Sequence, residues 1–279
     1  MRILVTTDFS VNSKGAIRFV KTLANQSQNI EAVFYHAINI MQPTSWSNDF
    51  FDNYRTEEMA RLSEELKKLV HDTLGEDKKK FASIKFVIDD CASTEEGIIS
   101  FAEQDNMDFV CIASQGAGML RRIMGTHTSY IVNNSKVPVM VIPSHYFAKP
   151  LKNITYLSDF DNLSKEINEI STFAKSFSLQ IEVLHYSLML IDEKKEQEFE
   201  KNKALFNTKA FENIKLNIQK SDFNLSLVDE VTDYVEKSKP ELLIMFTNRD
   251  KSFFESLFLP SKSAELTYTT KVPVLIFSK

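Results

Sequence analysis

The chain repeats itself, and that repetition constrains its fold more than any other feature. Lys136-Val137-Pro138-Val139-Met140-Val141-Ile142 returns as Lys271-Val272-Pro273-Val274-Leu275-Ile276-Phe277. Ile3-Leu4-Val5-Thr6-Thr7-Asp8-Phe9 is matched by Ile154-Thr155-Tyr156-Leu157-Ser158-Asp159-Phe160. Val33 to His36 answers to Glu182 to His185, and Phe109 to Ile112 answers to Leu242 to Met245. Similar segments in the same order, with an offset that drifts from 151 to 135, indicate duplication followed by editing of the loops. A length of 279 residues gives two domains of about 140, each able to bury a core.

Within each copy, short apolar runs alternate with amphipathic stretches. The first copy predicts strands at 2–7, 30–37, 83–88, 108–113 and 138–142, with helices near 12–26, 57–75, 94–104 and 126–134. The second predicts strands near 153–158, 180–186, 211–218, 241–246 and 272–277. The strands read as nearly continuous apolar runs, the pattern of parallel strands covered on both faces. The expected fold is therefore α/β, with two tandem doubly wound, Rossmann-like domains of five parallel strands each. Their expected limits are 1–146 and 150–279, with Ser144 to Leu151 as linker. In such sheets ligands sit beyond the carboxyl ends of the strands. That directs attention to Thr7-Asp8, Ala37, Asp89 to Ser93 and the stretch after Ile112.

Several function classes are disfavoured. The formal charge is −5, with 16 basic against 18 acidic residues up to position 149 and 17 against 20 beyond it. Neither half has the basic excess that nucleic-acid binding requires. No apolar run reaches the roughly 18 residues of a membrane span, and no signal peptide opens the chain. Two cysteines, Cys91 and Cys111, form neither a disulfide framework nor a metal motif, so a reducing cytoplasm is the expected location. The five histidines are scattered, which argues against a metal site built from protein ligands. His36 and His185 occupy equivalent strand ends without a nucleophile motif, and read as structural. No activated nucleophile or paired carboxylate stands in a recognisable motif, so no catalytic class is indicated.

The stretch Ala113-Ser114-Gln115-Gly116-Ala117-Gly118, continuing to Gly125-Thr126-His127-Thr128, follows a strand and opens a helix. Glycines there let backbone N–H groups approach a phosphate, and the helix N-terminus favours its charge. Taken alone, such a loop also fits plain turn chemistry.

The loop resembles the universal stress protein family, and the resemblance covers nearly the whole chain as two tandem domains. Nucleotide-binding members carry Gly-x-x-Gly, nine residues, then Gly-Ser or Gly-Thr. Here Gly116 is the second glycine and Gly125-Thr126 the final pair; Ala113 replaces the first glycine and eight residues fill the gap. Thr7-Asp8-Phe9-Ser10 is similar to the family's first strand end, and His36-Ala37 to the end of its second. The resemblance implies a stress-response regulatory protein that binds ATP or a related adenine nucleotide in its N-terminal domain. Thr7, Asp8 and Ala37 would lie at the adenosine end. Gly116, Gly118, Gly125 and Thr126 would lie at the phosphates, with Mg²⁺ arriving on the nucleotide, and Ile112, Gln115 and His127 would complete the binding site. It further implies an intramolecular pseudo-dimer of the two domains, edged by Val137 to Val141 and Val272 to Ile276, or a homodimer. The alternative is a dimerisation and interaction scaffold that binds no nucleotide; with no catalytic motif beside the loop, at most weak ATP hydrolysis is expected.

The second copy departs further. All six glycines precede residue 126. Gly125-Thr126 aligns with Pro260-Ser261 and Gly116 with Arg249 or a neighbour. Proline offers no N–H to a phosphate, so this site is expected to be degenerate. Phe253, Phe254, Leu257 and Phe258 occupy the former loop. The aromatic segment from Ile40 to Arg55, with Trp46, Phe50, Phe51 and Tyr54, reads equally as a lid or a plug.

Overall fold

A computed structural model describes residues 1–114, 126–160, 162–187, 200–201, 203–204, 206, 214–222, 224–247 and 272–278. They fall into two compact units, with the division between Lys149 and Pro150.

The first unit runs β1 (Arg2–Thr6), α1 (Lys14–Gln26), β2 (Glu31–Ile38), α2 (Asn48–Leu74), a 3-10 turn (Gly75–Lys80) and β3 (Ser83–Asp90). It continues with α3 (Thr94–Gln104), β4 (Phe109–Ser114), α4 (Thr126–Asn134) and β5 (Val139–Pro143). The strand order is β3-β2-β1-β4-β5, and every pair is parallel. The chain therefore winds outward from β1 to β3, then crosses back to β4 on the other side of β1. The carboxyl ends of β1 and β4 flank this reversal, where a doubly wound sheet opens a crevice.

The second unit comprises β6 (Asn153–Leu157), α5 (Leu163–Phe177), β7 (Gln180–Ser187), β8 (Ile214–Lys220), α6 (Leu227–Ser238), β9 (Leu242–Thr247) and β10 (Val274–Ser278). Its order, β8-β7-β6-β9-β10, repeats that of the first, with β6, β7, β8 and β9 paired in parallel. Backbone bonds align the copies residue by residue. Thr7 N–H donates to Tyr35 O at 3.0 Å, as Ser158 N–H does to Leu184 O at 2.9 Å. Cys91 N–H donates to Ile38 O at 2.8 Å, as Ser221 N–H does to Ser187 O at 3.1 Å. Tyr35, His36 and Ala37 thus correspond to Leu184, His185 and Tyr186.

Burial explains why these segments hold their places. Ile3, Leu4 and Val5 are fully buried in β1, as are Ala16, Ile17, Phe19, Val20 and Leu23 on α1. Each large side chain among them contributes about 1.5–3 kcal/mol through removal from water. Gly15 marks the closest approach, since a Cβ there would lie 2.7 Å from the Pro143 carbonyl oxygen at the end of β5. Helix α2 buries only Leu62, Leu66, Val70 and Leu74, one residue per turn. Its other faces carry ion pairs such as Arg61 with Glu58 and Glu65, so the charge-rich stretch is a solvated surface.

Helix α2 begins nine residues before the apolar periodicity predicts. Ser47 caps it by accepting from Phe50 N–H at 3.3 Å, and Trp46 packs edge-on against Phe50 and Tyr54. The aromatic segment is thus partly a helix start. Strand β8 is shifted two residues late relative to the sequence expectation at its carboxyl end.

Candidate functional site

The crevice at the strand reversal is a cavity of about 340 Å³, within the size range of small-molecule sites. It is built from the ends of β1, β2 and β4 and the first turns of α3 and α4.

Its floor is made by the way β1 ends. After Thr7 the chain leaves the sheet in a tight turn, with Phe9 in the left-handed region at φ 62°. Short polar side chains hold that turn. Thr7 Oγ1 accepts from Phe9 N–H at 3.0 Å and lies 2.7 Å from Ser13 Oγ at the start of α1. Asp8 Oδ1 accepts from Ser10 N–H at 3.0 Å, an Asx turn that fixes the aspartate at the cavity edge. Asp8 is exposed.

The end of β2 supplies the next wall. His36 Nδ1 donates to the Thr7 carbonyl at 2.7 Å, a bond that requires the proton on Nδ1 because a carbonyl only accepts. The Tyr35 hydroxyl donates to Asp89 Oδ2. Burial, followed by the bond to Asp89 and its negative charge, pushes that hydroxyl well above the tyrosine range. Gly97 on α3 leaves room for this group, because a Cβ there would stand 2.5 Å from Cys91 Sγ and 3.1 Å from the Tyr35 hydroxyl. Cys91 is half-buried, while Cys111 is fully buried in β4. Burial is the first cause raising both thiols, so neither is poised as a thiolate at neutral pH.

The mouth is formed by α3 and α4. Ser93 caps α3 by accepting from Glu96 N–H at 3.4 Å. Glu95, in the first turn, pairs with His127 in the first turn of α4. A hydrogen bond from its own backbone amide, then those from His127 and Ser93, hold the Glu95 carboxyl below its usual range. The neighbouring Glu96 accepts from the Tyr130 hydroxyl.

Of the residues singled out from sequence, Thr7, Asp8, Ala37, Ile112 and His127 line this one cavity. Thr126 begins α4. Gln115, Gly116, Gly118 and Gly125 lie outside the described residues, as do Arg249, Lys251, Phe253, Phe254, Leu257, Phe258, Pro260 and Ser261. Among described residues, Trp46, Phe50, Phe51 and Tyr54 are not part of the lining. The sequence reading missed Tyr35, Thr94, Glu95 and Ile98. The signal for the last three was the helix start at Ser93-Thr94-Glu95, immediately after a strand end already marked as a ligand-facing edge. No group of three or more metal-binding side chains occurs among the described residues. No helix among them is long and apolar enough to cross a membrane.

In the equivalent region of the second unit, two larger side chains take the places of small ones. Tyr186, in the place of Ala37, sends its hydroxyl to the Glu230 carbonyl at 2.7 Å. Glu230 stands where α3 has Gly97, since Gly97 N–H donates to Ser93 O at 2.9 Å and Glu230 N–H to Ser226 O at 3.1 Å, each serine capping its helix. Its carboxylate accepts from Ser221 Oγ at 2.8 Å and Asp222 N–H at 2.6 Å.

The first unit is thus a doubly wound α/β domain with a small-molecule-sized cavity at its strand reversal. The model of the universal stress protein family matches residues 1–143, slightly more than half of the 279, and the chain belongs to that family. No curated protein sequence matches it. Among solved structures, a universal stress protein from Archaeoglobus fulgidus DSM 4304 is similar along nearly its whole length. It has TM-score 0.68 at 18% identity, covering 99% of this chain and 98% of that one. A putative universal stress protein from Pseudomonas aeruginosa UCBPP-PA14 has TM-score 0.57 at 12% identity, covering 99% and 92%. At these identities the likeness is one of fold.

Proposed function

We propose that the first unit binds one adenine nucleotide, ATP or a close relative, and that the chain acts as a cytoplasmic regulatory protein of the stress response. The cavity at the strand reversal carries this reading, because it gathers residues chosen from distant parts of the sequence at the place where such folds take ligands. In this reading the Asp8 carboxylate accepts from ribose hydroxyls, and the peptide groups at Ala37 meet the base edge. The glycines at 116, 118 and 125 and the start of α4 serve the phosphates. Mg²⁺ is carried by the phosphates. The second unit is a tandem domain of the same family without a working site, a reading supported by Tyr186 and Glu230 standing in the place of Ala37 and Gly97.

Titration calorimetry with Mg-ATP tests this. The expected stoichiometry is one per chain for the wild type, none for Gly125→Val and one for Pro260→Gly. Two sites in the wild type refute the degenerate second unit. No site at all refutes nucleotide binding and leaves an interaction scaffold.

A further inference from the structure

The charge carried by the described part of the lining bears on which ligands the cavity takes. Its described lining holds two carboxylates, Asp8 and Glu95, and neither lysine nor arginine. Among the described lining residues the side chains able to carry a positive charge are the imidazoles of His36 and His127, and both are engaged. His36 is committed through Nδ1 to Thr7, and His127 is paired with Glu95. His127 is the side chain that follows Thr126 at the opening of α4, the end at which a helix favours an anion. Glu95 therefore occupies, with its own negative charge, the partner that a phosphate would otherwise find there. Its side chain is 21% exposed while that of His127 is 70% exposed, so the imidazole can turn to a ligand whereas the carboxylate stays at the wall. Ser93 Oγ, 3.2 Å from Glu95 Oε2, helps to hold it there.

We propose that Glu95 is a specificity-determining residue for ligand charge: paired with His127, it weakens the hold of the α4 end of the cavity on a ligand's phosphates and so narrows the preference for nucleotide over the uncharged nucleoside. This rests on the nucleotide reading of the same cavity. Glu95 and a ligand phosphate compete for one imidazole and one helix end, so removing the carboxylate frees both. The ionised state of Glu95 at neutral pH follows from the hydrogen bonds that hold its carboxyl low. The gain is limited by the partial exposure of the pair, since screened charges interact weakly.

The test compares adenosine, AMP and inorganic pyrophosphate by calorimetry in magnesium-free buffer, on the full chain. Glu95→Gln is expected to tighten AMP and pyrophosphate by about fivefold, while leaving adenosine within about twofold. The gain should shrink in the His127→Gln background, because Glu95 acts partly through that imidazole. An unchanged ratio of AMP to adenosine affinity overturns the proposal, and so does weaker AMP binding by the variant. Failure of the wild type to bind adenosine or AMP refutes the nucleotide reading separately. Pyrophosphate then decides for Glu95: tighter binding by Glu95→Gln sustains the charge filter, and equal binding overturns it. Thermal unfolding of each variant establishes that it is folded.

Discussion

His36 donates from Nδ1 to the carbonyl of Thr7 at 2.7 Å, and its ring centroid lies 4.4 Å from that of Phe9. The second unit repeats the clasp. His185 Nδ1 meets the Ser158 carbonyl at 2.8 Å, and its ring stacks on Phe160 at 4.0 Å with the planes 11° apart. Phe9 and Phe160 sit at φ 62° and 70°, a region that costs a residue with a Cβ about 1–2 kcal/mol. Both histidines are therefore fasteners of a strained strand exit, which agrees with their lack of any nucleophile motif.

The clasp makes a prediction about Phe160, which is 5% exposed. Phe160→Ala should cost about 3 kcal/mol, from lost burial and lost stacking on His185. Phe160→Gly loses the same ring but removes the Cβ from a left-handed position, so it should be about 1 kcal/mol less destabilising than alanine. Urea unfolding of both variants gives the order. Glycine proving as harmful as alanine would mean that the positive φ carries no strain.

His185 also sets an acid limit. Burial, the largest cause, lowers its pKa below the ordinary 6.5, and the bond to Ser158 opposes this only in part. The unfolded chain then binds a proton that the folded chain resists, between the folded value and 6.5, so stability falls as pH drops through that window. The contribution is intact above pH 6.5 and the loss is complete below the folded value. His185→Gln should flatten the dependence of the melting temperature on pH as pH falls below 6.5. A variant that keeps the wild-type slope would assign the acid sensitivity to other groups.

The fold was legible in the sequence because duplication presents the same apolar strands twice, and a false strand would have had to recur. Register and capping were harder to see. Helix α2 starts at Asn48 on the strength of Ser47 and a cluster around Trp46, neither of which has helical apolar spacing. Thr7, Asp8 and Ala37 were legible as residues of the crevice because strand ends are marked by where apolar runs stop. Glu95 was not, since a glutamate in a first helical turn looks like ordinary dipole compensation until His127 is seen opposite it. The two larger side chains of the second unit were likewise hidden. The loss of glycine was evident, but that Tyr186 and Glu230 stand in the places of Ala37 and Gly97 required the aligned hydrogen bonds.

Gly97 offers a direct test of close packing beside the cavity. Alanine inside a helix normally stabilises by about 1 kcal/mol relative to glycine. At this position its Cβ would meet Cys91 Sγ at 2.5 Å, and overpacking of this kind costs about 1–3 kcal/mol. Gly97→Ala should therefore destabilise alone and become neutral or stabilising when combined with Cys91→Ala. Denaturant melts of the four proteins form the cycle. Additive effects would show that the thiol yields freely and that glycine is not needed for space.

The last prediction exchanges the features that distinguish the two units. Ala37 lines the cavity of the first unit, and its counterpart Tyr186 crosses the second to reach the Glu230 carbonyl at 2.7 Å. Ala37→Tyr should send a phenol across the first cavity toward the Gly97 carbonyl, taking the space that the adenine reading assigns to the base. Adenosine affinity should fall by more than about tenfold, since a side chain of that size cannot share the volume with a ligand. The melting temperature should move by only a few degrees, because Ala37 is not part of the buried core. The reverse change, Tyr186→Ala, should not create a site. Glu230 would remain, fixed by Ser221 and Asp222, with its charge in the place where the first unit has only a glycine. Calorimetry with adenosine should therefore give one site for the wild type, a lost site for Ala37→Tyr and one for Tyr186→Ala. A second site in Tyr186→Ala would show that the tyrosine alone closes that unit, and undiminished binding by Ala37→Tyr would place the base elsewhere.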